Sequence, residues 1–345
     1  MVIFFIVLFG LSALILGHEA GHFFAARWFK LKIEEFGIGF PPRIFARKKG
    51  ETEYSVNWLP FGGFVRIAGE NDGMKNEEEP IANEDRSRYF STQPAWKRAV
   101  IMFAGVFVNF ILGWLLLSAV FLSGTPKILL VADVEPNSPA ASVGLKRGDV
   151  IKDYQQAEQF ISFVNENRGK EISFAIIRDG KEIFMVTTPR GTVSDGKGAL
   201  GVFLEEGGSE RSGFFASLAK GFSAALSMIV LTIQSFYELI RNFVSSGTLL
   251  EGVVGPVGIF SVAASASKFG LVYLFQILGI ISVNLAVLNL IPFPALDGGR
   301  LFLLLIEKIK GTPVPRRTEM IANGIGFALL ILLMIVVTVR DVVRW

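Results

Sequence analysis

The feature that most restricts how this chain can fold is a set of long apolar stretches that carry almost no charge. A helix of about 20 apolar residues covers the hydrocarbon core of a bilayer. Only 19% of the residues are charged, against roughly 25% in soluble domains. The sequence therefore predicts a polytopic α-helical membrane protein with about four transmembrane helices, at residues 1–30, 99–122, 271–310 and 321–340.

A fifth apolar stretch is ambiguous. Residues 214–240 are apolar except for Lys220, Gln234 and Glu238. We expect residues 210–260 to form an amphipathic helix at the membrane interface and a connecting segment, and not to cross the bilayer.

The distribution of basic residues predicts the orientation. Residues 30–98 contain twelve Lys and Arg, residues 1–17 contain none, and residues 300–317 contain five more. Because cytoplasmic loops collect Lys and Arg, both termini are expected outside and both basic loops inside. The net charge of only +3 gives no indication of nucleic-acid binding.

Two segments between the spans are too polar for the bilayer. Residues 31–98 begin with alternating apolar and polar runs joined at Lys48-Lys49-Gly50-Glu51, which predicts a cytoplasmic, membrane-associated segment resembling a β-hairpin. A solvated hairpin with no further role is equally compatible with these runs. Residues 126–206 predict a small α+β domain, with one hairpin joined at Asp179-Gly180.

The first span contains the motif most typical of chemistry. The chain has no cysteine and only two histidines, His18 and His22, in an H-E-x-x-H sequence. Residues i and i+4 share one helix face, so both imidazoles can reach one metal ion. Glu19 points about 100° away and is expected to hold water on the metal and accept its proton. Ionisable side chains at membrane depth are costly, which favours a functional site.

A third metal ligand must come from elsewhere in the chain. Asp297 follows the helix-breaking Pro292 and Pro294, and broken backbone is tolerated in lipid only where it is buried or lines a cavity. The alternative is that Asp297 caps the next helix. We expect it to be a ligand, which requires the first and third spans to run in the same direction. That requirement is the second reason to expect residues 214–240 not to cross.

These motifs resemble the site-2 protease family of intramembrane zinc metalloproteases, in particular its RseP-type regulators of sigma-E proteolysis. HEAGH matches the zinc helix of that family, and the pattern N-x-x-P-x-P-x-L-D-G is matched from Asn289 to Gly298. The runs FGIGFPPRIF, LPFGGFVRIAGE, FSTQPAWKRAVIMFAGVFVNF and GPVGI are also similar to family segments.

The resemblance implies one Zn²⁺ ion bound by His18, His22 and Asp297, with Glu19 catalytic. It implies that Asn289 helps to hold the substrate backbone, although an interhelical hydrogen bond is an equally good interpretation; Asn109 is interpreted as structural. It further implies that residues 126–206 are an extracytoplasmic PDZ domain, in a bacterial cytoplasmic membrane protein. The expected partners are the lipid bilayer, single-span membrane proteins or peptides as substrates, and an upstream site-1 type protease.

The sequence departs from the family pattern at two points. Two rival functions compete with the protease interpretation. RseP-type enzymes often carry two PDZ domains, whereas this chain has room for one, and Arg300 stands where many relatives have His. A non-catalytic, zinc-containing PDZ membrane scaffold would have no need of Glu19. A zinc transporter would be expected to carry acidic or His residues along more than one span.

Overall fold

The computed structural model describes residues 2–70, 86–178, 180–192, 198–246, 255–267 and 270–344. The chain forms two compact units, a membrane unit (residues 1–119, 218–267 and 274–345) and an inserted unit (residues 120–217 and 268–273). In chain order the elements are α1 (Val2–Trp28), β1 (Ile33–Lys49), β2 (Thr52–Ile67), α2 (Ala95–Ser123), β3 (Thr125–Val134), α3 (Pro139–Ser142), β4 (Val150–Ile151), α4 (Ala157–Glu166), β5 (Ile172–Arg178), β6 (Lys181–Thr187), β7 (Val202–Ser209), α5 (Phe214–Ser246), α6 (Pro256–Ser267), α7 (Leu271–Leu290), α8 (Asp297–Lys310) and α9 (Arg316–Arg344).

Five of the described helices, α1, α2, α5, α7 and α9, are long and apolar enough to cross a membrane. Four of them lie where spans were predicted. The additional candidate is α5, whose 33 residues include the stretch expected to lie at the interface. The chain is thus a multi-pass membrane protein with one candidate span more than the sequence indicated.

The third span is broken as predicted, between α7 and α8. Pro292 and Pro294 follow the end of α7 at Leu290, where proline cannot donate to the helical hydrogen-bond ladder. Ala295 has a φ of +75°, and its N–H donates to Asn323 Oδ1 of α9 at 3.0 Å. This contact with α9 fixes the short segment that leads into α8 at Asp297.

The first polar segment forms the predicted hairpin, with strand pairing more extensive than a simple two-stranded ladder. The turn lies at Gly50 and Glu51, between β1 and β2. Residues 35–38 pair on one side with residues 53–56, and residues 33–38 pair on the other side with residues 63–67. Residues 63–67 of β2 are therefore an outer strand.

This outer part of β2 lies along α1. Ser12 Oγ donates to the Pro60 carbonyl at 2.5 Å. A Cβ atom at Gly62 would come within 2.7 Å of Ile15, and one at Gly63 within 2.5 Å of Leu16. Glycine therefore permits backbone of β2 to pack directly on a helix of span length.

The inserted unit is the predicted α+β domain. Its antiparallel sheet has the strand order β6-β5-β4-β3-β7, and its core includes Leu129, Ile151, Phe160 and Ile176. The Asp149 carboxylate is buried and accepts hydrogen bonds from Arg178 Nε at 2.7 Å and Nη2 at 2.6 Å. The identification of this unit as a PDZ domain stays a prediction.

Candidate metal centre

Two buried imidazoles lie side by side on α1. His18 and His22 are one helical turn apart, and both are buried. Their Nε2 atoms are 3.1 Å apart. At this distance the two nitrogen atoms can share one hydrogen bond or bind one metal ion together.

Asp297, the first residue of α8, completes a triangle with the two imidazoles. Its Oδ2 atom is 3.0 Å from His18 Nε2 and 3.3 Å from His22 Nε2. The cap position of α8 is occupied by Leu296, not by Asp297. The carboxylate of Asp297 therefore faces the histidines, and the three side chains could together hold a metal ion.

The dimensions of this triangle fit zinc. Tetrahedral zinc binds nitrogen and oxygen at about 2.0–2.1 Å, so neighbouring ligand atoms lie about 3.3 Å apart. The three observed separations of 3.0, 3.1 and 3.3 Å are close to that value. Asp297 Oδ2 is buried and has no hydrogen-bond partner of good geometry among the described residues, although both imidazole nitrogens lie within 3.3 Å of it. A cation between the three atoms would satisfy this oxygen.

The neighbouring helix α2 supports both imidazoles along one row of residues. Ile101, Gly105 and Asn109 are spaced four apart and so share a helix face. The Ile101 carbonyl is 2.8 Å from His22 Nδ1, and Asn109 Nδ2 is 3.3 Å from His18 Nδ1. The contact between Asn109 and His18 was not predicted; its only signal in the sequence is a polar side chain in an otherwise apolar span.

Gly105 provides the space in which the histidines sit. A Cβ atom at this position would lie 2.5 Å from His22 Nε2 and 2.8 Å from His18 Cε1. On the facing helix, a Cβ atom at Gly21 would lie 2.5 Å from the Ala104 carbonyl oxygen. The two glycines allow α1 and α2 to cross closely, which brings α2 backbone to the imidazole rings.

Glu19 is held on a different side of α1 from the triangle. Its Oε2 atom accepts a hydrogen bond at 3.1 Å from the backbone N–H of Val65, in the outer strand of β2. The structure thus brings together the H-E-x-x-H helix, the aspartate and the outer strand of the hairpin.

The two remaining residues of interest do not join the triangle. Asn289, near the end of α7, is partly buried and makes no side-chain hydrogen bond among those found for the described residues. Arg300 forms a short ion pair with Glu70. A guanidinium has no acceptor atom, so Arg300 is not a candidate ligand.

An H-E-x-x-H helix whose histidines meet a carboxylate inside a multi-pass membrane protein defines an intramembrane metalloprotease. Residues 5–333 match the model of peptidase family M50. The chain belongs to that family, and it is a metalloprotease of the site-2 type.

Related proteins are similar to this chain over nearly their full lengths. The chain is 31% identical to the regulator of sigma-W protease RasP of Bacillus subtilis, over 99% of this chain and 98% of that protein. It is 33% identical to a putative zinc metalloprotease of Clostridium perfringens, over 97% of each chain. It is also 31% identical to a putative zinc metalloprotease of Brucella suis, over 93% of this chain and 90% of that protein.

Proposed function

We propose that this protein cleaves peptide bonds within or next to the transmembrane segments of single-span membrane proteins, such as anti-sigma factors or remnant signal peptides. The observation that carries the proposal is the convergence of His18, His22 and Asp297 on one point beside a helix of span length. We assign these three side chains as the ligands of one zinc ion and Glu19 as the general base. A bound zinc ion supplies Lewis-acid activation of water at neutral pH.

Glu19 performs the proton transfers. Its carboxylate accepts the proton of the attacking water and passes it to the nitrogen of the leaving amine. The hydrogen bond from the Val65 N–H holds one carboxylate oxygen and leaves the other free for the proton. This arrangement fixes the orientation of the Glu19 carboxylate.

The outer strand of β2 is the element best suited to present a substrate. A transmembrane helix must unwind before its carbonyl groups can be attacked, and an extended peptide can then pair with an exposed strand edge. Residues 63–67 are the outer strand of the hairpin, and the Val65 N–H within it donates to the proposed base. We assign Asn289 a supporting role in holding the substrate backbone, since its amide has no hydrogen-bond partner among the described residues.

The sidedness of the protein follows from the same convergence. Because His18 and Asp297 meet, α1 and α7 run in the same direction, so the chain between α2 and α7 makes no net crossing. We propose that the metal centre faces the cytoplasm, where the twelve basic residues of segment 30–98 lie. The inserted unit is then extracytoplasmic and admits substrates already shortened by an upstream site-1 type protease.

The contacts of α6 support the proposal that the chain from the start of α5 to α6 makes no net crossing. The Gly258 N–H donates to Asp341 near the end of α9 at 2.9 Å, and Ala263 packs with Val7 and Leu274 at the beginnings of α1 and α7. α6 thus lies at the end of the membrane unit opposite to Asp297. α5 begins at that same end, since the Leu218 carbonyl accepts from Trp114 near the end of α2 at 2.9 Å.

Cysteine labelling tests this topology, and the absence of native cysteine removes any background. Single variants Ser209→Cys in β7 and Ser245→Cys at the end of α5 are expected to react with a membrane-impermeant maleimide from the same, extracytoplasmic side. Thr92→Cys, just before α2, is the control and should react only after the membrane is permeabilised. Reaction of Ser209→Cys and Ser245→Cys from opposite sides would show that α5 crosses.

The function itself is tested by comparing membrane proteomes of three strains: one with the active protein, one with Glu19→Gln, and one without the gene. Single-span fragments with intact transmembrane segments should accumulate in the second and third strains alike. If the protein were a scaffold, the Glu19→Gln strain would match the active strain and only the third would differ.

A further inference from the structure

We propose that Asn109 is a positioning residue for the metal centre: its side-chain oxygen accepts a hydrogen bond from the Nδ1–H of His18 and so directs the lone pair of His18 Nε2 to the metal. This inference rests on the proposed assignment of His18 as a ligand. It adds a residue on α2 to a site otherwise built from α1 and α8.

The position of the proton on His18 decides which of its nitrogens can bind a metal. A neutral imidazole carries its proton on one nitrogen and a lone pair on the other. His18 Nε2 is the atom that faces Asp297 and His22 Nε2, so binding a metal there requires the proton on Nδ1. Nδ1 of His18 must then donate, and its neighbour must accept.

The orientation of the Asn109 amide decides which of its two polar atoms faces His18. Asn109 is fully buried, and the atom next to His18 Nδ1 is Nδ2, at 3.3 Å. Oδ1, in contrast, is buried with no hydrogen-bond partner among the described residues. Rotating the amide by 180° exchanges the two atoms, an ambiguity inherent in asparagine. The rotated amide gives Oδ1 a donor, and it gives the Nδ1–H of His18 an acceptor.

The Nδ1 atom of His22 also has an acceptor from α2. His22 Nδ1 already lies 2.8 Å from the Ile101 carbonyl oxygen, which can only accept. Ile101 and Asn109 therefore supply one acceptor to each imidazole, from two turns of the same face of α2. Such partners fix the tautomer and the orientation of metal-binding histidines, and their loss typically lowers metal affinity about 10–100-fold.

The position of Asn109 is secured independently of its side chain. Its backbone carbonyl accepts a hydrogen bond from Ser282 Oγ of α7 at 2.7 Å. The substitution Ser282→Ala removes this contact and leaves the amide in place. It is therefore a matched control for the packing of α2 against α7.

The test measures zinc affinity of the full-length protein in detergent, by titration with Zn²⁺ against a chelator of known affinity. Asn109→Leu keeps the branched shape and the number of side-chain heavy atoms but has no acceptor, and its zinc affinity is expected to fall about 10–100-fold. Asn109→Asp keeps an acceptor and should bind zinc within about tenfold of the wild type. Ser282→Ala should bind as the wild type does. With Co²⁺ in place of zinc, the visible absorption bands should change in Asn109→Leu and persist in Asn109→Asp.

Equal zinc affinity of Asn109→Leu and the wild type would overturn the role of Asn109. If Asn109→Leu does not fold, Asn109→Asp decides alone: a folded Asn109→Asp protein that loses zinc by more than about tenfold refutes an acceptor role. Failure of the wild type to bind zinc would instead refute the proposed metal centre.

Discussion

Glu19→Gln is expected to reduce peptide-bond cleavage by the purified protein about 10²- to 10⁴-fold or more, while one zinc ion per chain stays bound. Positioned general bases contribute about this much to rate, and an amide cannot accept the proton. Glutamine has the shape of glutamate, and its carbonyl oxygen can still accept from the Val65 N–H that now bonds Glu19 at 3.1 Å. The measurement pairs kcat on a reconstituted single-span substrate with zinc content by elemental analysis.

The matched control for this substitution is Glu182→Gln in the inserted unit. Glu182 lies on β6 and forms an exposed ion pair with Lys152 at 2.6 Å, and exposed pairs contribute about 0–1 kcal/mol. Its kcat and zinc content should equal those of the wild type. Cleavage by Glu19→Gln at more than about a tenth of the wild-type rate would contradict the role of base. Loss of zinc from this variant would instead identify Glu19 as a ligand.

The convergence of His18, His22 and Asp297 was predictable from sequence because two strong local constraints coincide there. His18 and His22 share a face through helical periodicity alone, and the cost of ionisable groups in lipid disfavours a purely structural role for them. Asp297 was predicted as a candidate ligand because it follows Pro292 and Pro294, which break the third predicted span. The hairpin turn at Gly50 was likewise predictable, since turn chemistry is local.

The surroundings of the triangle were not predictable, because they depend on contacts between residues far apart in the chain. Asn109 is 91 positions from His18, and neither its type nor its spacing indicates that contact. A glycine in an apolar span such as Gly105 is common, and only the close crossing of α1 and α2 shows why it is needed. The hydrogen bond between Val65 and Glu19 depends in the same way on how β2 packs along α1.

The positions of α5 and α6 could not be predicted from the sequence either. α5 contains Lys220, Gln234 and Glu238, and composition alone leaves its position open. Thr232 of α5 donates to Asn284 of α7 at 2.7 Å, a polar pairing between two apolar helices that no periodicity reveals. α6 was not predicted at all, since 12 residues are too few to stand out as a span.

Asp297→Asn is expected to lower zinc affinity about 100-fold or more and to reduce cleavage in proportion. Loss of a residue that merely orients a ligand costs about 10–100-fold, and a ligand itself should cost at least as much. The amide is neutral and a poorer donor to a divalent cation than a carboxylate. Asp297 Oδ2 lies 3.0 and 3.3 Å from the two imidazole nitrogens, so the substitution acts directly on the proposed metal centre.

The control for Asp297→Asn is Asp341→Asn, which alters the buried aspartate near the end of α9. Asp341 accepts from the Gly258 N–H, and an asparagine oxygen can accept the same bond. Asp341→Asn should therefore keep its zinc and its activity, which separates loss of the metal from loss of the fold. Unchanged zinc stoichiometry and affinity in Asp297→Asn would mean that the carboxylate is not a ligand. The third position around the ion would then have to be filled by another group, and the convergence of α1 and α8 would serve packing alone.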